Sequence, residues 1–284
     1  MAARRTSWTT CACAVSVLLA IACLAAPARG GGKIVVIAVD GYDETVAGPL
    51  LDAGRLPVLA TIARSGAAFA FRSFDWVAEL RTPTVWRTMT TGYPPDRAVP
   101  GSPGETFASG GGPGAPTIQD AMTEAGRTVG VVGWPAAEPP PWNGFVVTSE
   151  FTTDPRDGYY MPEGTTHPPG LESDLRPLRR AGVTITDGEL APLLGADPGE
   201  ASGSAVVTTN LVSLREFIAA DETMVAVTRR LLETEGQPDL LMVFLPGLGF
   251  VSRDFWGFMN PTTLPGAPDP QAAAMFAETI PGYY

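Results

Sequence analysis

The sequence predicts an α/β fold built on a doubly wound, mostly parallel sheet. Three nearly continuous apolar runs have the length and composition of strands buried on both faces, namely Lys33 to Asp40, Thr128 to Gly133 and Asp239 to Leu245. Segments with helical spacing separate these runs. Because strands that alternate with helices are typical of parallel sheets, the three runs are expected to lie side by side.

The first run is followed by a helix signal. Leu56 to Ala63 has helical spacing, with Pro57 near its first turn, and Gly66 marks its end. Proline suits the first turn because the amide that it lacks has no partner there. The sequence therefore predicts a strand and then a helix in the first 66 residues.

The middle of the chain begins with a loop and continues with a helix and a second strand. Gly101 to Pro116 is rich in glycine, proline and serine, which is typical of a surface loop. Thr117 to Ala125 then has helical spacing with Gly126 as a C-cap, and it leads into the second apolar run. We therefore take residues 31–135 as the first part of the α/β core.

Regular patterns disappear between Pro135 and about Gly203 and then return. Proline, glycine and short polar stretches dominate this segment, which predicts an irregular cap insert over residues 136–205. Leu211 to Glu235 is a long amphipathic segment that predicts a helix, and the third apolar run follows it. Residues 206–284 are thus expected to return to the core.

The N-terminus is typical of an export signal over residues 1–28. Arg4 and Arg5 precede an apolar centre from Ala12 to Ala26, and Ala26-Pro27-Ala28 resembles a cleavage site. The predicted location is therefore secreted or periplasmic. A retained membrane anchor and a lipoprotein site at Cys23 are the alternatives, although the apolar centre is shorter than the roughly 20 residues that span a bilayer.

Composition limits the classes of partner and of metal site. Removal of the signal takes away two of the 19 basic residues and none of the 30 acidic ones, so the net charge changes from −11 to 17 − 30 = −13. Such a surface disfavours nucleic acid and anionic membranes as partners. Disulfides and thiolate metal sites are not expected after cleavage, because the cysteines all lie in the signal: Cys11, Cys13 and Cys23.

Two residues are candidates for a metal-held nucleophile. Asp40 ends the first apolar run, and Thr82 stands in the later segment Arg81-Thr82-Pro83-Thr84-Val85-Trp86. A metal-dependent hydrolase needs a carboxylate to hold the cation and a hydroxyl that the cation activates. Taken singly, Asp40 equally fits a strand-end cap, and Thr82 equally fits a helix N-cap before proline. Trp86 is expected to pack in the core.

An ordered set of short motifs resembles the type I phosphodiesterase/nucleotide pyrophosphatase family of the alkaline phosphatase superfamily. The resemblance implies an alkaline-phosphatase-like core, two zinc-like cations, and hydrolysis of phosphate esters through a covalent phospho-threonine. Asp40 would bind one metal, and Thr82 would be both a ligand of that metal and the nucleophile. The motifs are Val39-Asp40-Gly41, Gly54-Arg55-Leu56-Pro57, Thr82-Pro83-Thr84-Val85-Trp86, Thr91-Gly92, Gly130-Val131-Val132-Gly133-Trp134 and Pro238-Asp239-Leu240-Leu241.

Other positions depart from the family pattern. Gly249 and Arg253 stand where the family has an aspartate and a histidine that bind the first metal, and Ala98-Val99 replaces histidine-glycine. The remaining family ligands would lie beyond Tyr284, so we expect the C-terminal part of the fold to be missing. A guanidinium at Arg253 could grip phosphate where a cation once sat. Asp254 is expected to pair with a basic neighbour or to face solvent.

Two functional readings therefore stand. The first is a secreted, metal-dependent hydrolase of small phosphate esters. The second is a non-catalytic or truncated relative that has lost metal binding and at most binds a ligand or partner. His167, the only histidine, lies among prolines and is expected in an exposed loop outside the site. No stable membrane span is expected after signal removal, and neither substrate identity nor oligomeric state follows from the sequence.

Overall fold

A computed structural model describes residues 32–70, 82–92, 116–135, 142–152, 164–200, 204–263 and 267–284. By its contacts the chain divides into Met1–Lys33 and Ile34–Tyr284, and every element below belongs to the second unit. The predicted signal, the segment Ala98-Val99 and most of the predicted loop at 101–116 lie outside the described residues.

The described strands form one five-stranded, mostly parallel sheet. They are β1 (Ile34–Val39), β2 (Val129–Val132), β3 (Gly144–Val147), β4 (Thr166–His167) and β5 (Leu240–Leu245). Their order is β1-β5-β2-β3-β4, and only the short β4 runs antiparallel to its neighbour. The predicted α/β fold with a mostly parallel sheet is confirmed, and the three predicted strands are β1, β2 and β5.

Helices connect and cover these strands. Their bounds are α1 (Glu44–Asp52), α2 (Pro57–Ser65), α3 (Thr82–Thr91), α4 (Ile118–Glu124), α5 (Leu171–Leu175), α6 (Asp187–Leu190), α7 (Ala205–Thr234), α8 (Gly247–Met259), α9 (Pro270–Phe276) and α10 (Thr279–Tyr283). No single helix among the described residues is long and apolar enough to cross a membrane; α1 and α2 pass that test only as a pair, bent by 94°.

Local sequence signals account for several of these helices. Thr117 and Asp120 form a reciprocal capping box at the start of α4, and Pro57 lies in the first turn of α2. Ser204 caps α7 by accepting a hydrogen bond from Val207 N–H. The α7 helix therefore begins six residues before Leu211, because a polar cap and not the first apolar residue determines its start.

The sheet is packed on both faces. On one face, Met242 and Phe244 of β5 contact α3 and α4 through Trp86 and Ile118. On the other face, β5 packs against α7 through the buried side chains Leu241, Val243, Met224, Val227 and Leu231. A further apolar cluster joins α7, α8 and α9 through Leu211, Leu214, Val251, Phe255 and Phe276. The core therefore fixes the start of α8 against the end of β5.

The expectation that β1 is buried on both faces is wrong. Val35, Ile37 and Val39, which point to one face, are 48%, 62% and 41% exposed. On the other face Ala38 is buried against the Trp86 side of the sheet. The apolar run predicted a strand correctly, but β1 lies at the edge of the sheet, where only β5 pairs with it among the described strands.

The segment predicted as an irregular cap contributes two strands to the sheet. β3 pairs in parallel with β2, and β4 pairs with β3. Both strands lie within residues 136–205, and their four and two residues are too few to give a periodic signal. The rest of its described part is mainly short helices, including α5 and α6.

Two short helices end the described chain. α9 ends at Phe276, and α10 begins at Thr279. Pro281 favours the break, since proline lacks an amide hydrogen and is best accommodated in the first turn of a helix. A new helix therefore starts two residues before it, at Thr279.

Candidate active site

Asp40 lies at the carboxyl end of β1, as the sequence predicts. Its backbone N–H donates to Leu245 O at 3.2 Å, which continues the pairing with β5. Its half-buried carboxylate accepts a hydrogen bond from Gly41 N–H at Oδ1, 3.1 Å away. Burial raises the pKa of Asp40 above its ordinary value, and the Gly41 hydrogen bond partly opposes that rise. A nearby cation would stabilise the ionised form, so the carboxylate suits a metal ligand.

Gly249 of α8 lies directly against this carboxylate. A Cβ added to Gly249 would be 2.6 Å from Asp40 Oδ2, and a Cβ added to Gly41 would be 2.5 Å from Gly249 Cα. Ser252, one turn further along α8, donates to Gly41 O at 3.4 Å. The fold therefore brings together Asp40 and the position where the family resemblance implies a second carboxylate, although that position holds glycine.

The close approach of Gly41 to α8 gives a stability prediction. Gly41→Ala is expected to lower the free energy of unfolding by about 3 kcal/mol or more, because the new methyl group meets backbone atoms of Gly249 and the residue has a φ of 77°. Gly54→Ala is the matched control: its φ is 71° but no atom lies within 4 Å, so only the backbone strain of about 1–2 kcal/mol is expected.

Urea unfolding of the two variants beside the wild type measures this difference. Equal losses for Gly41→Ala and Gly54→Ala would mean that the loop after β1 does not contact the start of α8 in solution. The geometry next to Asp40 would then need revision.

Thr82 is the first residue of α3, and its side chain lies outside the described part of the structure. The helix is held on the sheet by Trp86, whose ring centroid is 5.3 Å from that of Trp134 and 5.0 Å from that of Phe244. Phe244 is the strand partner of Ala38, two residues before Asp40. The predicted core-packing role of Trp86 is confirmed, and Trp86 places α3 on the carboxyl half of β5.

Arg253 does not turn toward Asp40. Its Nε donates to Asp254 Oδ1 at 2.7 Å, its guanidinium lies 5.1 Å from the ring centroid of Phe250, and its side chain is 64% exposed. The hydrogen bond to Asp254 raises the pKa of Arg253. These contacts confirm that Asp254 pairs with a basic neighbour, and they do not support a phosphate grip by Arg253 beside Asp40.

His167 lies at the far side of the sheet. It belongs to β4 and pairs with Val146, so the expectation of an exposed loop is wrong; the side chain is half-buried. Four strand spacings separate β4 from β1, which amounts to roughly 19 Å at about 4.8 Å per spacing. His167 is therefore outside the Asp40 region, as predicted.

The donors near Asp40 do not complete a zinc site. Zinc in proteins usually takes four ligands, with at least three from protein side chains. Across the described residues, no group of three or more His, Cys, Asp or Glu side chains could hold a metal ion. Asp40 is the one family ligand described with its side chain, and Thr82 is the second candidate by sequence. The described donor set therefore does not fit the two cations that the resemblance implies.

Two shallow grooves lie elsewhere on the described surface. The first, of about 440 Å³, runs beside Val183, Asp187 and Arg215, and the second, of about 500 Å³, beside Ala191 and Asp197. Arg215 in the first groove already donates to Ile185 O at 3.1 Å and pairs with Asp187. Neither groove is lined by Asp40 or Gly249, so neither adds a residue to the candidate site.

Sequence reasoning missed a half-buried acid close to the start of α8. Asp221 of α7 accepts hydrogen bonds from Gly247 N–H at Oδ1 and from the Tyr283 hydroxyl at Oδ2, both at 3.0 Å. Burial raises the pKa of Asp221 to about 6, and these two hydrogen bonds partly oppose the rise. The sequence does contain a sign of this acid: Asp221 lies on the apolar stripe of α7 between Leu214 and Met224, and an acidic residue in such a stripe faces the core.

Comparison with models of protein families, with curated proteins and with solved structures found no match to this chain. The family resemblance therefore rests on the order and spacing of the motifs. The contact between Gly249 and the Asp40 carboxylate at the carboxyl end of β1 is the structural observation that bears on function.

Proposed function

We propose that this chain is a secreted phosphoric ester hydrolase of the phosphodiesterase/nucleotide pyrophosphatase type, with Thr82 as its nucleophile and Asp40 as a metal ligand. One observation carries the proposal: Gly249, which the motif spacing pairs with Asp40 as a ligand position, lies in contact with the Asp40 carboxylate although 209 residues separate them (249 − 40). Strand ends of parallel sheets are also where open α/β folds bind ligands.

Thr82 and the backbone amides of α3 suggest different roles in the reaction. Thr82 Oγ would lose its proton and form a bond to phosphorus as the bond from phosphorus to the ester oxygen breaks, and the leaving alkoxide would take up a proton to become the alcohol. Water would then attack phosphorus, the bond from phosphorus to Thr82 Oγ would break, and Oγ would regain a proton as the phosphate product leaves. Backbone amides in the first turn of α3 are suited to phosphate oxygens, since a helix N-terminus attracts anions.

The described residues include too few metal ligands for the two cations that the resemblance implies. With glycine at 249 and Arg253 engaged by Asp254, the described donors do not fit two zinc ions, and no step is assigned to them. The same observation favours the second candidate function, a non-catalytic relative that binds a ligand or partner in the inherited cleft. The alkaline-phosphatase-like core and the irregular cap are part of the first proposal, supported by a sheet with helices on both faces.

Metal content and turnover of a bis-aryl phosphodiester distinguish the two functions. For the hydrolase we expect bound zinc or manganese by mass spectrometry, turnover that a chelator abolishes and added metal restores, and loss of metal in Asp40→Asn. Absence of both metal and turnover in the purified mature protein would favour the non-catalytic relative. The double variant Gly249→Asp, Arg253→His supplies the two ligands that the family pattern has, and a gain of metal only in that variant would identify those positions as the cause.

A further inference from the structure

The last two residues of the described chain bind two different parts of the structure. The Tyr283 hydroxyl is 3.0 Å from Asp221 Oδ2 and 3.2 Å from Phe217 O, and both acceptors belong to α7. The Tyr284 hydroxyl instead accepts a hydrogen bond from Asp43 N–H at 2.6 Å and lies 3.3 Å from Asp43 O. The end of α10 therefore connects α7 to the loop that follows β1.

Tyr284 holds the loop at its far end. Asp43 is also the N-cap of α1, where its Oδ1 accepts a hydrogen bond from Thr45 N–H at 2.7 Å. The ring of Tyr284 packs edge-to-face on Tyr42, with centroids 6.1 Å apart. The near end of the loop is fixed by Asp40 N–H on Leu245 O. The four residues from Asp40 to Asp43 are thus restrained by β5 on one side and by α10 on the other.

Asp221 is the point at which α10 is attached. Its carboxylate binds Tyr283 of α10 and the first amide of α8, so three helices meet at one side chain. The site is closely packed: a Cβ added to Gly247 would be 2.1 Å from Tyr283 Oη and 2.3 Å from Asp221 Oδ2. Movement of α10 away from α7 would therefore break the Asp221 contact and the Asp43 contact together.

We propose that Tyr283 and Tyr284 form a latch on the Asp40 loop, with Asp221 as its anchor and Tyr284 as a positioning residue for the Asp40 carboxylate. Within the described contacts, that carboxylate accepts a hydrogen bond only from Gly41 of its own loop. Its direction therefore depends on the loop backbone, which Tyr284 restrains. The catalytic consequence of the latch rests on the proposed hydrolase function, whereas its effect on the loop does not.

Protonation of Asp221 should strengthen the latch. The groups that face Asp221 and Tyr283 are Gly247 N–H of α8, the Phe217 carbonyl, and Glu222, which is paired with Arg180. Burial raises the pKa of Asp221 to about 6 in the closed latch. The Asp221 carboxylate therefore binds a proton more tightly when the latch is closed than when it is open and hydrated. Rising pH ionises Asp221 and favours opening of the latch, because the open state hydrates the charge of the carboxylate.

Hydrogen exchange of the full-length mature protein tests the latch directly. We expect Tyr284→Phe to lower the protection factors of amides 43–47 about tenfold, as loss of one hydrogen bond of about 1.4 kcal/mol implies. Tyr42→Phe is the matched control, since it keeps the ring that packs on Tyr284 and loses only an exposed bond to Glu44. Amides of β2 and β5 serve as an internal reference and should keep their protection.

The pH dependence separates a proton-linked latch from simple packing. In the wild type, protection of amides 43–47 should fall between pH 5 and 7, and Asp221→Asn should remove that change while keeping high protection. Unchanged protection in Tyr284→Phe would overturn the latch, whatever the hydrolase activity. A pH profile that is the same in Asp221→Asn and the wild type would overturn Asp221 as the anchor.

Turnover tests the positioning role separately. If the wild type hydrolyses the bis-aryl phosphodiester, Tyr284→Phe should lower kcat about tenfold with KM nearly unchanged, because the misplacement affects Asp40 and not substrate contacts. Reduced loop protection with unchanged kcat would overturn the positioning role. If the wild type has no turnover, the hydrolase proposal fails, and hydrogen exchange alone still decides the latch.

Discussion

Thr82→Ala is expected to lower kcat/KM for a bis-aryl phosphodiester by about 10⁴-fold or more, the largest effect of any single substitution considered for this chain. The substitution removes the oxygen that would attack phosphorus and form the covalent intermediate. Thr82 is the first residue of α3, where alanine is compatible with the helix, so the free energy of unfolding should change by less than about 1 kcal/mol.

Thr88→Ala is the matched control for this experiment. Thr88 lies on the same helix, and its buried Oγ1 has no hydrogen-bond partner within the described structure, so the same atoms are removed away from the start of the helix. Turnover should be unchanged in Thr88→Ala. Equal activity in wild type and Thr82→Ala would remove Thr82 from the nucleophile role and, with it, the main mechanistic content of the hydrolase proposal.

Asp221→Asn is expected to raise the free energy of unfolding at pH 7.5 by about 3 kcal/mol and to change it little at pH 4. Burial raises the pKa of Asp221 from 3.8 to about 6. Between these two pH values the folded state keeps a proton on Asp221 that the unfolded state has lost. The contribution of this acid to stability is fully present below pH 3.8 and is lost as the pH rises through about 6. Asparagine keeps the shape and carries no charge at any of these pH values.

Urea unfolding between pH 4 and 8 measures this effect. Asp174→Asn is a suitable control because Asp174 is exposed on α5, and its effect should stay within about 0.5 kcal/mol across the range. A loss of stability in Asp221→Asn at pH 7.5 would mean that the hydrogen bonds from Gly247 and Tyr283 favour the charged form more than burial disfavours it.

The parts of the fold that the sequence predicted are those determined by local patterns. Apolar runs predicted β2 and β5, and helical spacing with a C-cap glycine predicted α4, because burial and capping act within a few residues. The exposure of β1 could not be predicted in the same way. An apolar run specifies a strand but does not specify its place in the sheet, and β1 lies at the edge of the described strands.

Only the spacing of the motifs predicted residues of the candidate site. Asp40 was placed correctly at a strand end, and the spacing chose Gly249 as its neighbour, which contacts it. Asp221 and Tyr283 were missed, since they are separated by 62 residues and meet only after α7 and α10 pack together. A contact of that kind has no local sequence pattern, so only the tertiary structure identifies it.

The order of the described strands also determines when their sheet can form during synthesis. β2 and β3 are 15 residues apart in register (144 − 129), so they can pair as soon as they emerge. β1 must wait for β5, since Ile34 pairs with Leu240, 206 residues later (240 − 34). Pairings between such distant residues form slowly, because a long loop has to close first. The first of the described strands therefore acquires its neighbour only after residue 245 has been made, and until then its apolar residues are open to premature association.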